Sequence, residues 1–397
     1  MNVITDCMRD CEADPGQTRG RLIVHMIDEL PRDGAEMLLL DLLRLRLPDF
    51  RYAVVCLVRG GVLQPEFERI GVPVTVFGRR GRFDPMLVWR LARWLRRHRA
   101  DVVHTHLFTA DSYGRVAARL AGVPAVFSTV HNIAPAGAGP LRGVVSRILA
   151  RFTTAIVGCS DEVSQALIQR DGLEPARVRS IPNGIDLMRF GQASGEGVRE
   201  EFKLPGTRRL IGVVGRLHEQ KGHDDLLRAL ASLPQPLRGN LSCLIIGTGE
   251  LEAELRRRVE ELGLADCVVF TGMRTDVPRL VAALDAFVMP SRWEGLPIAL
   301  LEAMATSRAV LCTRVGGIPD VVVHATNGLL VDAGDVDALR SGIETLLADP
   351  GFAQRLGRQA RATVIERFDV SRTAAAYNEL HCAALGLGCR DTPGILP

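Results

Sequence analysis

Lysine is almost absent from this chain. Of its 49 basic residues only Lys203 and Lys221 are lysine, and all the others are arginine. Lysine carries a compact charge on a flexible stem, whereas arginine carries a rigid fork, so a lysine in an arginine-rich chain indicates a position that needs a compact ammonium. Lys221 is such a position, because it lies between an apolar run at 210–214 and a helical pattern at 224–233.

Other features are also missing, and each absence excludes a class of protein. No run of 18 apolar residues is free of charge, so we expect no membrane-spanning helix. The net charge is only +3, and no zinc-finger, RNP or helix-turn-helix pattern occurs, so we expect no nucleic-acid partner. Residues 1–20 lack the apolar stretch of a signal peptide, and the nine cysteines are scattered and odd in number, which favours a reducing cytoplasm.

Short β-branched runs alternate with helical patterns almost throughout, which predicts an α/β fold with parallel sheets covered on both faces. We expect two Rossmann-like, doubly wound domains facing a central cleft. The predicted divisions are a loose tail at 1–20, a first Rossmann-like domain at 21–190, a linker at 191–206, a second Rossmann-like domain at 207–370, and a closing helix with a C-terminal tail at 371–397. The predicted strands are 22–27, 52–58, 72–77, 102–106, 125–130, 155–157, 210–214, 241–246, 268–270, 286–289, 309–313 and 329–331.

The segment 291–302 is the most informative one. An apolar strand is followed by a tight turn at Glu294-Gly295-Leu296, and Pro297 suits the first turn of a helix. The backbone N–H groups of Gly295, Leu296 and Ile298 are then expected to form a phosphate site, with Gly295 leaving room for the ligand.

Two carboxylates flank this predicted phosphate site, Glu294 before the helix and Glu302 within it. Acids beside an anion site are explained if they bind hydroxyl groups on either side of a pyrophosphate, as in a nucleotide-sugar. The alternative is that both glutamates merely favour the positive end of the helix dipole.

A second candidate site follows the apolar run 210–214 and contains Gly215, Arg216 and Lys221. A forked guanidinium and a compact ammonium together suit a diphosphate. The alternative is a solvated surface loop.

These residues resemble the retaining, nucleotide-sugar-dependent glycosyltransferases of family 4 (glycosyl transferases group 1), which have the GT-B fold. Glu294 and Glu302 match the family's E-x7-E motif, and the segment 215–222 matches its phosphate-binding loop. Further matches follow in family order: Gly34-Ala35-Glu36, Asp101-Val102-Val103-His104-Thr105-His106, His131-Asn132, Ile181-Pro182-Asn183-Gly184-Ile185-Asp186, Phe270-Thr271-Gly272 and Gly316-Gly317-Ile318-Pro319-Asp320.

The resemblance implies a role for each matched residue. It places Arg216 and Lys221, with Gly215, on the donor diphosphate, and Glu302 on the ribose. The donor sugar would contact Glu294 and His131, and the catalytic group would comprise Glu294, His131, Arg216 and Lys221. The donor site would be completed by Met273 and Arg274 at the base and by Gly295, Leu296, Pro297 and Ile298, and the acceptor side would be formed by Gly34, His106 and Asn132.

Three positions depart from the family pattern. Asp33 stands where a glycine is usual before Gly34, which changes the acceptor-side loop. The segment 306–309 replaces the usual Gly-x-Pro, and the segment 324–328 lacks the usual Asp-Gly pair. We interpret the last two departures as structural.

We predict that no metal and no other cofactor is needed. His104 and His106 alternate along one predicted strand and point the same way, but no third ligand has a suitable spacing, and no Asp-x-Asp pair ends a predicted strand. The positive field would come from Arg216, Lys221 and backbone N–H groups.

The segment 79–99 carries eight arginines and the single acid Asp84, with Trp89 and Trp94 interleaved among leucines. This pattern is typical of a helix lying on an anionic membrane, and the alternative is a cover helix packed on the sheet. The hypothesis is peripheral attachment to the inner face of the plasma membrane.

The predicted function is therefore retaining transfer of a sugar, of hexosyltransferase type, from a nucleoside-diphosphate donor to an acceptor hydroxyl in cell-surface polysaccharide or glycolipid synthesis. UDP and GDP donors both remain open, as do the acceptor and its linkage. Two alternatives share the architecture: a nucleotide-sugar 2-epimerase and a non-catalytic nucleotide-sugar-binding protein.

Overall fold

The computed structural model describes residues 20–81, 83–132 and 140–388, without side chains for 140–142. Two parallel β-sheets follow one another along this part of the chain. The first has the strand order β3-β2-β1-β4-β5-β6-β7, with β1 (Arg21–Ile27), β2 (Phe50–Cys56), β3 (Val74–Val76), β4 (Val102–His106), β5 (Ala125–Val130), β6 (Ala155–Gly158) and β7 (Val178–Ser180). The second has the order β10-β9-β8-β11-β12-β13, with β8 (Arg209–Val214), β9 (Leu241–Ile246), β10 (Val268–Gly272), β11 (Ala286–Met289), β12 (Ala309–Thr313) and β13 (Leu329–Val331).

Helices connect successive strands and cover the sheets. Those of the first half are α1 (Gly34–Arg44), α2 (Gln64–Arg69), α3 (Pro85–His98), α4 (Phe108–Ala121), α5 (Pro140–Ala150), α6 (Asp161–Gln169) and α7 (Leu187–Gly191). Those of the second half are α8 (Val198–Glu201), α9 (His223–Ala231), α10 (Gln235–Gly239), α11 (Glu252–Glu261), α12 (Val277–Ala282), α13 (Ile298–Ala305), α14 (Val336–Ala348), α15 (Pro350–Arg367) and α16 (Val370–Ala384). Separate apolar cores form on the faces of the sheets, so the prediction of two doubly wound α/β domains is confirmed.

The predicted strands match the observed ones closely in the interiors of both sheets. The predictions for β4, β5, β9, β11, β12 and β13 have the observed limits. The three-residue strand β7 was missed, because it is an edge strand with two exposed residues and shows no apolar run. The predicted domain limits remain a prediction, and the predicted tails lie almost wholly outside the described residues.

The last helix returns to the first domain. The helical path is interrupted between α15 and α16. There the Asp369 carboxylate accepts a hydrogen bond from the Ser371 N–H at 2.7 Å and so caps α16. Tyr377 and His381 on α16 then reach first-sheet residues, with Tyr377 Oη 3.0 Å from Thr129 Oγ1 and His381 Nε2 3.0 Å from His104 Nδ1. The second half of the chain therefore supplies part of the first domain's covering layer.

Two of the departures from the family pattern coincide with unusual backbone. Ser307 has φ 58° and Ala325 has φ 60°, in the left-handed region that favours glycine. Both residues lie away from the ligand cleft described below, so the interpretation of these departures as structural agrees with their positions.

The six described cysteines are all buried. They act as small apolar side chains, as expected for most of the nine, while Cys7, Cys11 and Cys389 lie outside the described residues. Among the helices that are described, none combines the length and apolar character needed to cross a membrane.

Candidate active site

The candidate site lies where the strand order of each sheet reverses. That reversal falls between β1 and β4 in the first sheet and between β8 and β11 in the second. Ligands of open α/β sheets bind beyond the carboxyl ends of the strands at such a reversal. A cleft of about 510 Å³, lined by residues of both domains, occupies this position.

A largely buried ion pair lies in the second-domain wall of the cleft. Lys221 Nζ lies 2.6 Å from Glu294 Oε1, and the carboxylate also accepts hydrogen bonds from Ser291 Oγ at 2.7 Å and Gln220 Nε2 at 3.1 Å. Glu294 is only 4% exposed. A carboxylate can remain charged at this depth because a cation and two further donors hold it.

Arg216 directly follows β8 and lines the same wall. Within the described residues, no side-chain hydrogen bond or ion pair holds its guanidinium, so its donors are available to an anion in the cleft. Gly215 packs against the Lys221 stem, since a Cβ at this position would lie 3.3 Å from three of its carbons. The predicted diphosphate-binding residues are therefore brought together.

Glu302 also lines the cleft, one turn inside α13. Its environment differs from that of Glu294, because burial raises the pKa of the Glu302 carboxyl to about 7 while the Arg189 charge lowers it only in part. A carboxyl poised near neutrality becomes a strong acceptor when hydroxyl donors reach it.

The turn at 294–298 is positioned by a domain contact that the sequence did not indicate. A Cβ on Gly295 would lie 2.1 Å from the His131 carbonyl oxygen, so this glycine leaves room for the other domain and not for a ligand. Asn183 Nδ2 of the first domain donates to the Leu296 carbonyl oxygen at 2.8 Å. Gly295 therefore does not line the cleft, whereas Leu296, Pro297 and Ile298 do. The phosphate site predicted at these backbone N–H groups stays a prediction.

The opposite wall comes from the first domain. His131 and Asn132 follow β5 and line the cleft. Each has one buried polar atom, His131 Nδ1 and Asn132 Oδ1, that finds no hydrogen-bond partner among the described residues. Gly34 begins α1 and faces Ile298, whose Cγ1 would lie 3.3 Å from an added Cβ. Asp33, the third departure, also lines the cleft and so places a carboxylate on this wall.

His106 does not line the cleft, although it was predicted on the acceptor side. It is 2% exposed and lies behind His131, with His106 Nδ1 3.2 Å from His131 Nε2. The alternation of residues on β4 placed His104 and His106 on one face correctly, but that face is covered by α1 and α16.

The expectation that no third histidine accompanies His104 and His106 is wrong. His25 on β1 pairs directly with His104 across the sheet, and these three side chains bring one ligand atom each within 4.8 Å of one another. Their rings are stacked, with interplanar angles of 22°, 23° and 10°. A metal ion lies along the lone pair in each ring's plane, so nearly parallel, stacked rings suit hydrogen bonding between neighbours better than convergence on one ion.

Met273 and Arg274 line the far end of the cleft. The Arg274 guanidinium is held by Asp276 at 2.8 Å and by Glu201 at 2.8 Å. Its side chain is thus committed to the second domain, which leaves the backbone of this turn for a ligand, as the prediction for the base required.

Several cleft residues were not assigned by the sequence. Glu36 is buried in the first-domain wall, and burial raises the pKa of its carboxyl to about 8. Arg189, Asn183 and Gln220 also line the cleft, and the buried Ser291 supports Glu294 from behind. Glu36 and Asn183 stood within quoted motifs, Gln220 is adjacent to Lys221, and Ser291 begins the segment 291–302, so position in or beside a motif was the available signal.

Comparison with known proteins identifies the family. Residues 20–189 match the model for glycosyltransferase family 4, and residues 196–363 match that for glycosyl transferases group 1. An alpha-maltose-1-phosphate synthase of Mycolicibacterium smegmatis is 31% identical over 306 residues, which cover 71% of this chain and 79% of that protein. The chain belongs to the family 4 glycosyltransferases.

Other relatives of this glycosyltransferase agree. A UDP-Gal:alpha-D-GlcNAc-diphosphoundecaprenol alpha-1,3-galactosyltransferase of Escherichia coli is 29% identical, over 73% of this chain and 77% of that protein. Among solved structures, Anabaena Alr3699/HepE in complex with UDP-glucose superposes with a TM-score of 0.82 at 25% identity, covering 90% of this chain and 98% of that one. The predicted GT-B fold is confirmed.

Proposed function

We propose that this glycosyltransferase moves a sugar from a UDP-sugar to an acceptor hydroxyl with retention of anomeric configuration. The observation that carries the proposal is the meeting of Arg216 and Lys221 of one domain with His131 of the other in a single cleft. The galactosyltransferase and the UDP-glucose complex among its relatives support a UDP donor and an acceptor in glycolipid or polysaccharide synthesis.

The charges of the cleft match the charges of the reaction. Cleavage of the bond between the anomeric carbon and the diphosphate oxygen leaves negative charge on the diphosphate and positive charge on the sugar. Arg216 and Lys221 stabilise the leaving diphosphate, and Glu294 lies beside Lys221 to position the sugar. In the proposed same-face attack, the acceptor oxygen bonds to the anomeric carbon and its proton passes to the departing diphosphate.

The donor class is tested by thermal stabilisation with UDP, GDP, ADP and dTDP. A ligand at 100 times its dissociation constant adds about 2.7 kcal/mol of stability. Arg216→Ala is the informative variant, because no described side chain depends on Arg216, and Arg257→Ala on the exposed face of α11 is the matched control. We expect a shift with UDP that Arg216→Ala reduces and Arg257→Ala retains, whereas no shift with any nucleotide contradicts the proposal.

Product analysis then identifies the reaction. Incubation of UDP-sugars with an acceptor panel should give a glycoside with the donor's anomeric configuration and free UDP. An epimerised donor, or binding without turnover, would establish one of the alternative functions. We also propose that transfer needs no metal, and activity abolished by a chelator and restored by manganese would contradict this.

We propose further that α3 and its preceding turn attach the protein to the inner face of an anionic membrane. The buried leucines of α3 pack on the sheet, but Phe83, Met86 and Trp89 are 81%, 61% and 56% exposed. Asp84, the acid of this segment, is held by the Leu87 N–H and by Arg90, so most arginines nearby remain unneutralised. Arg82 lies outside the described residues.

Sedimentation with anionic liposomes at low salt tests this attachment. We expect binding that falls with added salt and falls further in Phe83→Ser/Trp89→Ser. Val323→Ser, which removes an equally exposed apolar side chain from the second domain, should bind like the wild type. Absence of sedimentation with the wild type would overturn the proposal.

A further inference from the structure

Three histidines form a hydrogen-bonded chain that leads from the cleft into the first domain. His131 Nε2 lies 3.2 Å from His106 Nδ1, and His106 Nε2 lies 3.0 Å from His25 Nδ1. Each link joins one nitrogen of a ring to the opposite nitrogen of the next. The chain begins at His131 Nδ1, the buried atom without a partner on the cleft wall.

The chain is uncharged near neutral pH. Burial lowers the pKa of His131 to about 4 and that of His25 to about 3, and it lowers the pKa of His106 well below its usual value. Each neutral ring carries one proton on one of its two nitrogens. Each ring can therefore adopt one of two tautomers, which differ in the nitrogen that carries the proton.

The tautomers of the three rings are coupled, because every link needs one N–H and one lone pair. If His131 carries its proton on Nε2, then His106 accepts at Nδ1, carries its own proton on Nε2 and donates to His25 Nδ1. If His131 carries its proton on Nδ1, all three rings must adopt the Nδ1–H form. The two arrangements present opposite groups to the cleft, a lone pair in the first and an N–H in the second.

We propose that His106 and His25 are positioning residues that hold His131 in its Nε2–H tautomer, with the Nδ1 lone pair facing the donor sugar. This inference rests on the proposed function, in which positive charge develops on the sugar. A lone pair stabilises that charge, whereas an N–H aimed at the same place opposes it. The hydrogen bonds alone permit both arrangements. The lone-pair form leaves no unpaired N–H at the buried His131 Nδ1, which has no partner among the described residues.

The neighbouring histidine on the same strand provides a matched control. His104 is also buried, but its ring bonds to His381 Nε2 and to Thr129 Oγ1 at 2.8 Å and takes no part in the chain to His131. Replacing it removes a buried ring that stacks on His25 and His106 but takes part in neither hydrogen bond of the His131–His106–His25 chain. A loss caused only by damage to the core should appear in both variants.

The kinetic test compares His106→Phe, His106→Asn and His104→Asn, together with unfolding curves for each. His106→Phe removes the acceptor for His131 Nε2–H, and we expect kcat to fall about tenfold with little change in KM, as for one lost transition-state interaction. His106→Asn places an amide oxygen where Nδ1 was and should restore kcat to within about threefold of wild type. His104→Asn should also remain within about threefold, since the relay is untouched.

Imidazole ¹⁵N and ¹³C shifts of the histidine-labelled protein test the tautomer directly, with His131 identified by its loss in His131→Asn. We expect His131 as Nε2–H in the wild type, in His106→Asn and in His104→Asn, and as a mixture of tautomers in His106→Phe. A wild-type Nδ1–H form, or an unchanged tautomer in His106→Phe, would overturn the proposal. This measurement needs no turnover, so it decides the relay even if the proposed transfer reaction fails.

Discussion

The two walls of the cleft differ in the groups that they place around the predicted reaction centre. On the second domain, Lys221 pairs with Glu294, and Arg216 lines the same wall without a side-chain partner among the described residues. The first-domain wall places neutral histidines behind its surface and relies on their hydrogen bonds. In the proposed reaction, the basic side chains of one wall meet the negative diphosphate, and the neutral ring of His131 on the other wall meets the positively charged sugar. The comparison teaches that a neutral, oriented group can serve where a fixed positive charge would oppose the reaction.

The largest expected effect comes from forcing the two walls apart. Gly295→Ala places a Cβ 2.1 Å from the His131 carbonyl oxygen, so the backbone at this domain contact must move. A displacement of about 1 Å between reacting groups lowers turnover on the order of a hundredfold. Gly206→Ala, where nothing lies within 4 Å, is the control and should keep wild-type kcat. Equal activity in both variants would show that the two walls need not meet.

The next effect isolates the charged wall. Lys221→Met leaves the buried Glu294 carboxylate without a cation and should cost about 3 kcal/mol in urea unfolding, whereas Lys221→Met/Glu294→Gln should recover most of that loss. The exposed pair Arg257–Glu261 is the control, and Arg257→Met should cost well under 1 kcal/mol. If the double variant is no more stable than Lys221→Met, the stability of this wall does not depend on charge pairing.

A third prediction concerns donor affinity and pH. The raised pKa of Glu302, about 7, means that its carboxylate is mostly protonated at pH 6 and mostly ionised at pH 8. Ribose hydroxyls donate to the ionised form, so the affinity for UDP-glucose should rise about tenfold over this range. Calorimetric titration should show this rise in the wild type and a flat response in Glu302→Gln. A rise that persists in the variant would assign it to another group.

The smallest expected effect is on the pH dependence of the unfolding free energy, to which the buried histidines and the buried glutamates contribute in opposite senses. A buried histidine with a lowered pKa stays neutral in the folded state, so its contribution is present above about pH 6.5 and is lost as pH falls towards 4. Each such histidine should lower the free energy of unfolding by about 1 kcal/mol at pH 5.5. The raised pKa values of Glu36 and Glu302 act in the opposite sense, since their contribution is lost as pH rises through 7 to 8.

Two variants separate the contribution of the histidines from that of the glutamates. Between pH 7.5 and 5.5, His381→Gln should lose about 1 kcal/mol less of its unfolding free energy than the wild type does, whereas Glu36→Gln should lose more. Chemical unfolding at the two pH values measures both differences. Identical pH slopes for all three proteins would mean that these groups titrate alike in the folded and unfolded states.

Local patterns predicted the elements well, and long-range contacts explain the errors. Interior strands such as β4 and β12 were located because a strand buried on both faces reads as an apolar run. The role of Gly295 was misread because the contact with His131 joins the two domains, and no local pattern records it. His25 was missed as the partner of His104 because strand register, and not spacing, brings the two together.

The same limit applies within the site. The sequence named Lys221 and Glu294 separately as ligands of the donor, but it did not indicate that they bond to each other across 73 positions. It placed His104 and His106 on one face of β4 and could not indicate that α16 covers that face. Chemistry at a position was thus predictable from residue type, whereas access to the cleft depended on packing between distant segments.

The return of α16 to the first domain has a consequence for synthesis on the ribosome. All seven strands of the first sheet precede residue 190, yet Thr129 and His104 obtain Tyr377 and His381 only when the last helix emerges. At about 5–20 residues per second this interval is on the order of ten seconds or more. During this interval the nascent first domain exposes the Thr129 and His104 side chains without their α16 partners. Its native form therefore depends on the last residues to be translated.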